Sequence, residues 1–231
     1  MSNQVTGTYK CFDMILNRVA VCAGDLYYPG HSHTPPVTTQ LQYLHREFRQ
    51  ITENQTLSLA ACFDLLDQLG DQGLVVAPVM ERQRLLNQVI INVLLHNPDA
   101  HLKNYALMLQ NNGMICVTPL YDCLCTYGLN FSANGEVSRN MSLRIGGAIA
   151  IDTISQQDWS QFAIECGFTA AFVRRRVREL AKKLGDVLPH TVESVIAQYP
   201  LAERAANAVR DGVSQQINMV LNEDPVAGPI T

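Results

Sequence analysis

From Leu57 onward the apolar residues of this chain return every three or four positions, the period of a helix with one face inward. Leu57, Ala60, Ala61, Leu65 and Leu69 fall along one face, and Gly70 offers a natural C-cap. A second helical run, residues 80–96, carries Leu85, Val89 and Val93 at the same spacing. Pro98 then stops it, because the residue before a proline is pushed out of the α region. Residues 105–109 and 114–118 read as two short strands joined by Asn111-Asn112-Gly113. Asn-Gly favours a tight hairpin turn, since both residues tolerate positive φ. Residues 126–151 are looser and include Asn134-Gly135 and Gly146-Gly147. The helical period then returns. Residues 158–166 end at Gly167, residues 169–184 end at Gly185, and two more helices follow to about residue 222.

Before the helical region the pattern is irregular. Residues 11–16 and 18–22 read as candidate strands, and the Pro-rich stretch 27–36, with His31 and His33, reads as loop. The expected organisation is an irregular strand-loop segment at 1–40, one domain at 41–222 and a flexible tail at 223–231, with no internal repeat. The expected fold class is α+β, mainly α.

Composition narrows the function classes. With 231 residues, 47% of them hydrophobic and 16% charged, the chain can bury a sizeable core and is not a disordered segment. Its net charge of −4 gives no global reason to expect nucleic-acid binding. Apolar stretches such as Val93-Leu94-Leu95 are too short to cross a bilayer, and residues 1–10 lack a signal peptide's apolar core. Seven cysteines without a C-x-x-C pair are expected to be reduced thiols, which points to the cytoplasm.

The candidate chemistry lies in Asn97-Pro98-Asp99-Ala100-His101-Leu102-Lys103-Asn104-Tyr105-Ala106-Leu107 and in Pro119-Leu120-Tyr121-Asp122. Asp99 and Asn104 stand in a D-x-x-x-x-N spacing, in which an Asp can orient a substrate hydroxyl while an Asn holds Mg²⁺. Asp122 follows 23 residues after Asp99, just beyond the expected hairpin, so the fold can bring it back toward the loop. Two carboxylates and an amide suit the hard, oxygen-seeking Mg²⁺ between nucleotide phosphates. The loop follows a long buried helix, which is a rigid base for a site.

These segments resemble the C-terminal kinase lobe of the HipA family, the bacterial Ser/Thr kinases of toxin–antitoxin systems. The family pattern N-x-D-x-H-x-K-N-[FY]-[AS]-L, then a hairpin and L-x-P-x-Y-D, is matched by residues 97–107 and 117–122. The likeness extends from about residue 40 to about residue 200. It implies a protein-kinase-like large lobe with a short β-hairpin and a helical C-terminal bundle. It also implies transfer of the ATP γ-phosphoryl to a protein hydroxyl. Asp99 would then be the catalytic base, and Asn104 and Asp122 the Mg²⁺ ligands. His101 and Lys103 would face the nucleotide phosphates, and Tyr121 would flank the nucleotide. The implied partners are a protein substrate, such as an aminoacyl-tRNA synthetase, and an antitoxin. The sequence departs from the pattern at His96, where the family often has Gly, and at Pro98. Before the motif it carries one lysine, Lys10, and no Gly-rich loop, so the family's small lobe is expected to be missing and supplied by a partner.

Two other readings stand beside the enzyme: an inactive lobe remnant that serves as a protein-binding module, and a DNA-contacting protein acting through residues 158–184. The latter rests on Arg174, Arg175, Arg176, Arg178, Lys182 and Lys183, which follow a helix-turn-helix-like stretch with Gly167 at the turn. The blander account of that run is a solvated helix face, with Phe172, Val173, Val177 and Leu180 inward. Cys123 and Cys125 flank the metal position but read as small buried hydrophobes, and His31-x-His33 reads as chance spacing.

Overall fold

The computed structural model describes residues 58–110, 113–127 and 138–222. The expected strands at 11–16 and 18–22, the loop with His31 and His33, the segment 1–40, Asn134-Gly135 and the tail 223–231 lie outside the described residues. Helices α1 (Leu59–Asp71) and α2 (Pro78–Leu94) come first, then strands β1 (Leu107–Leu109) and β2 (Ile115–Val117). A second strand pair, β3 (Asn140–Ile145) and β4 (Ala148–Ala150), precedes helices α3 (Gln156–Glu165), α4 (Ala170–Gln198) and α5 (Glu203–Asn222). The fold is mainly helical with two small antiparallel hairpins.

Helix α2 is the axis of the core and packs against α1, α4, α5 and β2. Every residue from Leu85 to Leu95 is buried, so this part of the helix is enclosed on all sides. A helix of that kind must hydrogen-bond each polar side chain it carries. Asn87, Gln88 and Asn92 are its buried polar residues in that stretch.

The helix ends differ from the sequence expectation in an informative way. Helix α1 runs through Gly70 to Asp71, and the left-handed residue is Gly73, at φ 72°. The Leu74 N–H donates to the Leu69 carbonyl and the Gly73 N–H to the Gly70 carbonyl, which makes a Schellman end. Gly70 instead answers to packing, because a Cβ there would lie 2.6 Å from Pro78 Cγ. Helix α2 ends at Leu94, ahead of Pro98. Its left-handed residue is His96 at φ 58°, with Asn97 N–H donating to Asn92 O and His96 N–H to Val93 O.

The β1–β2 hairpin forms as expected, with Leu107 opposite Val117 and Leu109 opposite Ile115. The Ile115 N–H also donates to Leu74 O at 2.8 Å, which pins the hairpin to the α1–α2 link. The segment expected to be loose contains β3 and β4, turned at Gly146-Gly147. Its signal was present: Asn140, Ser142 and Arg144 face solvent while Met141, Leu143 and Ile145 turn inward. Gly146, at φ 55°, would place a Cβ 2.4 Å from the Asp158 carbonyl, so the hairpin tip seats directly on the start of α3.

Helix α3 starts at Gln156, not Asp158. Ser155 is its N-cap and Asp158 closes the capping box from the third helical position. One helix, α4, replaces the two expected between Thr169 and residue 198: it runs through Gly185 and Pro189. Leu184, Leu188, Val192 and Val195 form a continuous buried stripe against α5, and that packing outweighs two poor helix formers. The missing hydrogen bond of Pro189 would have gone to Gly185.

Two mid-helix glycines should respond oppositely to alanine. At Gly185 the nearest atoms to an added Cβ are those of Ile217 at 3.9 Å, so Gly185→Ala should stabilise by up to about 1 kcal/mol. At Gly212 in α5 an added Cβ would lie 2.3 Å from Tyr127 Cβ. There overpacking of about 1–3 kcal/mol exceeds the propensity gain, and Gly212→Ala should lower stability. Urea midpoints at unchanged m-values will read both signs.

Candidate functional site

The site is built where α2 runs out. After the His96 turn, Asn97 and Pro98 are buried, Asp99 emerges into solvent and Ala100 is buried again. The His101 N–H donates to Asp99 O at 2.6 Å, and the Asn104 N–H donates to His101 O at 2.9 Å, closing the 3-10 turn Leu102–Asn104. The expected residues Asp99, His101, Lys103 and Asn104 therefore share one tight loop. Asn104 is buried beneath it.

The hairpin returns the chain to this loop. Asn104 Nδ2 donates to Asp122 Oδ2 at 2.9 Å and to Asp122 O at 3.3 Å. The Tyr121 hydroxyl donates to Lys103 O. Thus the structure brings together four of the expected residues: Lys103, Asn104, Tyr121 and Asp122. Asp99 and His101 share the loop without a hydrogen bond from their side chains to that pair. His101 Nδ1 is buried and has no hydrogen-bond partner. Burial, and then the Asp122 charge, push the Tyr121 phenol pKa up.

Asp122 adopts φ 53°, a left-handed backbone that costs a non-glycine residue about 1–2 kcal/mol. Strain of this kind persists only where the surroundings over-determine it. Here the Asp122 carbonyl accepts from both Asn97 Nδ2 (3.4 Å) and Asn104 Nδ2.

Behind the loop stands a set of residues that the sequence reading missed. Glu81, Gln88 and Asn92 lie seven and four residues apart on one side of α2; the first two hold the segment that leads to Asp122, and Asn92 reaches Asp122 through Asn97. Glu81 Oε2 accepts the Val117 N–H at 2.8 Å, and Gln88 Nε2 donates to Thr118 O at 2.5 Å. Asn92 Oδ1 accepts from Asn97 Nδ2 at 2.8 Å, while its Nδ2 donates to Tyr105 Oη at 3.3 Å. Asn97 passes the connection to Asp122. The signal was polar residues at helical spacing, with Gln88 and Asn92 standing inside the mainly apolar run from Leu85 to Leu95. Burial, chiefly, holds the Tyr105 phenol protonated far above its ordinary range.

The donor set at Asn104 and Asp122 fits a hard cation. Their mutual hydrogen bond uses the amide nitrogen of Asn104 and one carboxylate oxygen. An amide oxygen and a second carboxylate oxygen are left as ligands of the type Mg²⁺ takes, with water and phosphate completing its shell. Neither neighbouring thiol is suited to bind metal or react: Cys123 donates to Asn92 Oδ1, and burial pushes Cys125 up to about 11. Cys62 and Cys166 are pushed up to about 12, also by burial.

Two residues of the basic run on α4 are committed to the fold. Arg176 is buried and donates to Asn87 Oδ1 at 2.8 Å, and Arg178 donates to Val220 O and Leu221 O at the end of α5. Arg175 pairs with Glu179 at 3.5 Å. Among the described residues no helix is long and apolar enough to cross a membrane.

Three comparisons bear on this arrangement. The model of the HipA-like C-terminal domain matches residues 32–188. A curated protein of Sinorhizobium fredii, described as "Putative kinase Y4mE", is 28% identical over 159 residues, 69% of this chain and 35% of that protein. A solved structure of the Shewanella oneidensis MR-1 toxin–antitoxin system, HipA and HipB with operator DNA, aligns with a TM-score of 0.55. It is 21% identical and covers 72% of this chain and 35% of that one, a likeness of fold. The chain spans about a third of the length of these two relatives. Because the family model matches well over half of the sequence, this chain belongs to the family of HipA-like C-terminal domains.

Proposed function

We propose that this chain is the large lobe of a HipA-like Ser/Thr protein kinase, transferring the γ-phosphoryl of ATP to a protein hydroxyl. The observation that carries the reading is the 2.9 Å contact between Asn104 and Asp122, in a loop that presents Asp99 five residues before Asn104. Asp99, exposed at the loop apex, accepts the proton of the substrate hydroxyl and aims its oxygen. Asn104 and Asp122 hold Mg²⁺, which neutralises charge on the transferring phosphates. Lys103 and His101 face those phosphates. Tyr121, locked to the Lys103 carbonyl, flanks the nucleotide. Catalysis here is positioning and charge stabilisation, which suits a site whose acids are fixed by a buried polar scaffold.

The small lobe that grips the nucleotide from the other side, an antitoxin partner and a substrate such as an aminoacyl-tRNA synthetase complete the proposal, in the cytoplasm. Titrating Mg²⁺-ATP by calorimetry into the wild type and into Asp122→Asn tests the nucleotide site. Binding that disappears in the variant is expected. Equal binding by both proteins, or none by the wild type, overturns a nucleotide site centred on Asp122.

A second reading, a non-catalytic protein-binding module, draws on Val76, Val79 and Met80, which expose 78%, 79% and 57% of their surface at the start of α2. It predicts a stable complex that survives the double change of Asp99 and Asp122 to Asn.

A further inference from the structure

We propose that His96 and Asp152 form a latch through which the β3–β4 hairpin sets the position of the loop carrying Asp99, making His96 a positioning residue and not merely a helix cap. This deepens the kinase reading and rests on it for its consequence, though not for its geometry. His96 occupies the left-handed position after α2, where glycine is free of strain and a side chain is not. A residue that breaks a local backbone rule persists where something else needs its side chain.

The side chain has a defined task. It is 1% exposed, and its Nε2 lies 2.9 Å from Asp152 Oδ1, at the end of the second hairpin. A carboxylate only accepts, so Nε2 carries the proton and His96 donates. The other carboxylate oxygen of Asp152 accepts from Arg139 at 2.6 Å, and the Arg139 guanidinium lies 5.9 Å from the centre of the Tyr127 ring. Tyr127 in turn meets the His96 ring edge-on at 5.3 Å. The four side chains close a cluster whose members come from the end of α2, the stretch after Asp122, and both ends of the β3–β4 hairpin.

The backbone adds connections at His96 and beside it. His96 O accepts from the Thr126 N–H at 3.2 Å and from Thr126 Oγ1 at 3.4 Å. Pro98 O, one residue before Asp99, accepts the Ser142 N–H of β3 at 2.8 Å. The hairpin is therefore tied to the Asp99 loop at two points, one through the His96 ring and one through the Pro98 carbonyl. Release of the ring should loosen the second tie, because both ties join the same hairpin to the same loop.

The capping and latching roles predict opposite results for His96→Gly in the full chain. Glycine keeps the left-handed turn and relieves its strain, so a cap alone would leave the amide exchange of Ser142 unchanged or slower. A latch predicts that the Ser142 N–H exchanges at least tenfold faster while the buried amides of α4 keep their protection. Asp152→Ala, which leaves the turn residue in place, should give the same Ser142 result and serves as the second variant if His96→Gly does not fold. With Mg²⁺-ATP and a phosphoryl acceptor, the latch further predicts a lower kcat at an unchanged KM for ATP. Unchanged Ser142 exchange in both variants overturns the latch. A wild type without phosphoryl transfer would count against the kinase reading, and the exchange experiment would still decide the latch.

Discussion

Asp99→Asn should slow phosphoryl transfer about a thousandfold while leaving Mg²⁺-ATP binding and stability nearly unchanged, the middle of the range for losing a positioned general base. The separation follows from the geometry. The Asp99 side chain is exposed, and the contact that shapes the loop is made by its main-chain carbonyl, which accepts the His101 N–H at 2.6 Å. Asparagine keeps that carbonyl and the side-chain shape but cannot take a proton from a hydroxyl. The Asn104–Asp122 pair does not involve the Asp99 side chain, so the proposed metal position should survive. Asp122→Asn behaves differently: it removes a carboxylate that Asn104 bonds directly and should weaken nucleotide binding itself. Measuring single-turnover transfer beside calorimetric binding for both variants distinguishes the roles. A transfer rate for Asp99→Asn within twofold of wild type would remove Asp99 from the reaction.

The contrast between these residues and their supports indicates what the sequence could disclose. Asp99, Asn104 and Asp122 could be picked out because the proposed chemistry requires fixed residue types at fixed spacing, and the Asn-Gly hairpin between them has a local signal. Glu81, Gln88 and Asn92 could not. In an amphipathic helix, polar residues at helical spacing ordinarily mark the solvent face, and only the burial of Glu81, Gln88 and Asn92 under the rest of the fold turns them into a scaffold. Gly185 misled for a related reason. Glycine ends a helix when local propensity decides, but the buried stripe from Leu184 to Val195 carries α4 past it. His96 was visible as a departure from the family pattern. Its meaning needed the positive φ and Asp152, 56 residues away in sequence.

The largest loss of stability is expected at Arg82, in the first turns of α2. Its guanidinium lies 5.3 Å from the Phe63 ring centre and 4.8 Å from that of Phe168. It donates to Phe63 O at 3.2 Å, to Cys166 O at 2.5 Å and to the Asp67 carboxylate at 2.5 Å. One side chain thus joins α1, α2 and the C-terminal end of α3, where a cation also opposes the helix dipole. The Asp67 side chain is 52% exposed, so that ion pair contributes at most about 1 kcal/mol. The Cys166 carbonyl, at the C-cap of α3, matters more, since it loses this donor in Arg82→Ala at about 1–3 kcal/mol, whereas Phe63 O stays within the hydrogen-bond ladder of α1. With the ring contacts added at about 0.5–2 kcal/mol, the expected fall in stability is roughly 3–5 kcal/mol. Such a loss lowers the melting temperature by roughly 6–20 °C in a domain of this size. Asp67→Asn should cost about 1 kcal/mol or less. Arg82→Lys should recover little, because an ammonium cannot reach two carbonyls and a carboxylate in one plane while stacking on two rings. Near-equal losses for Arg82→Ala and Asp67→Asn in urea titrations would instead place the stabilisation in the ion pair.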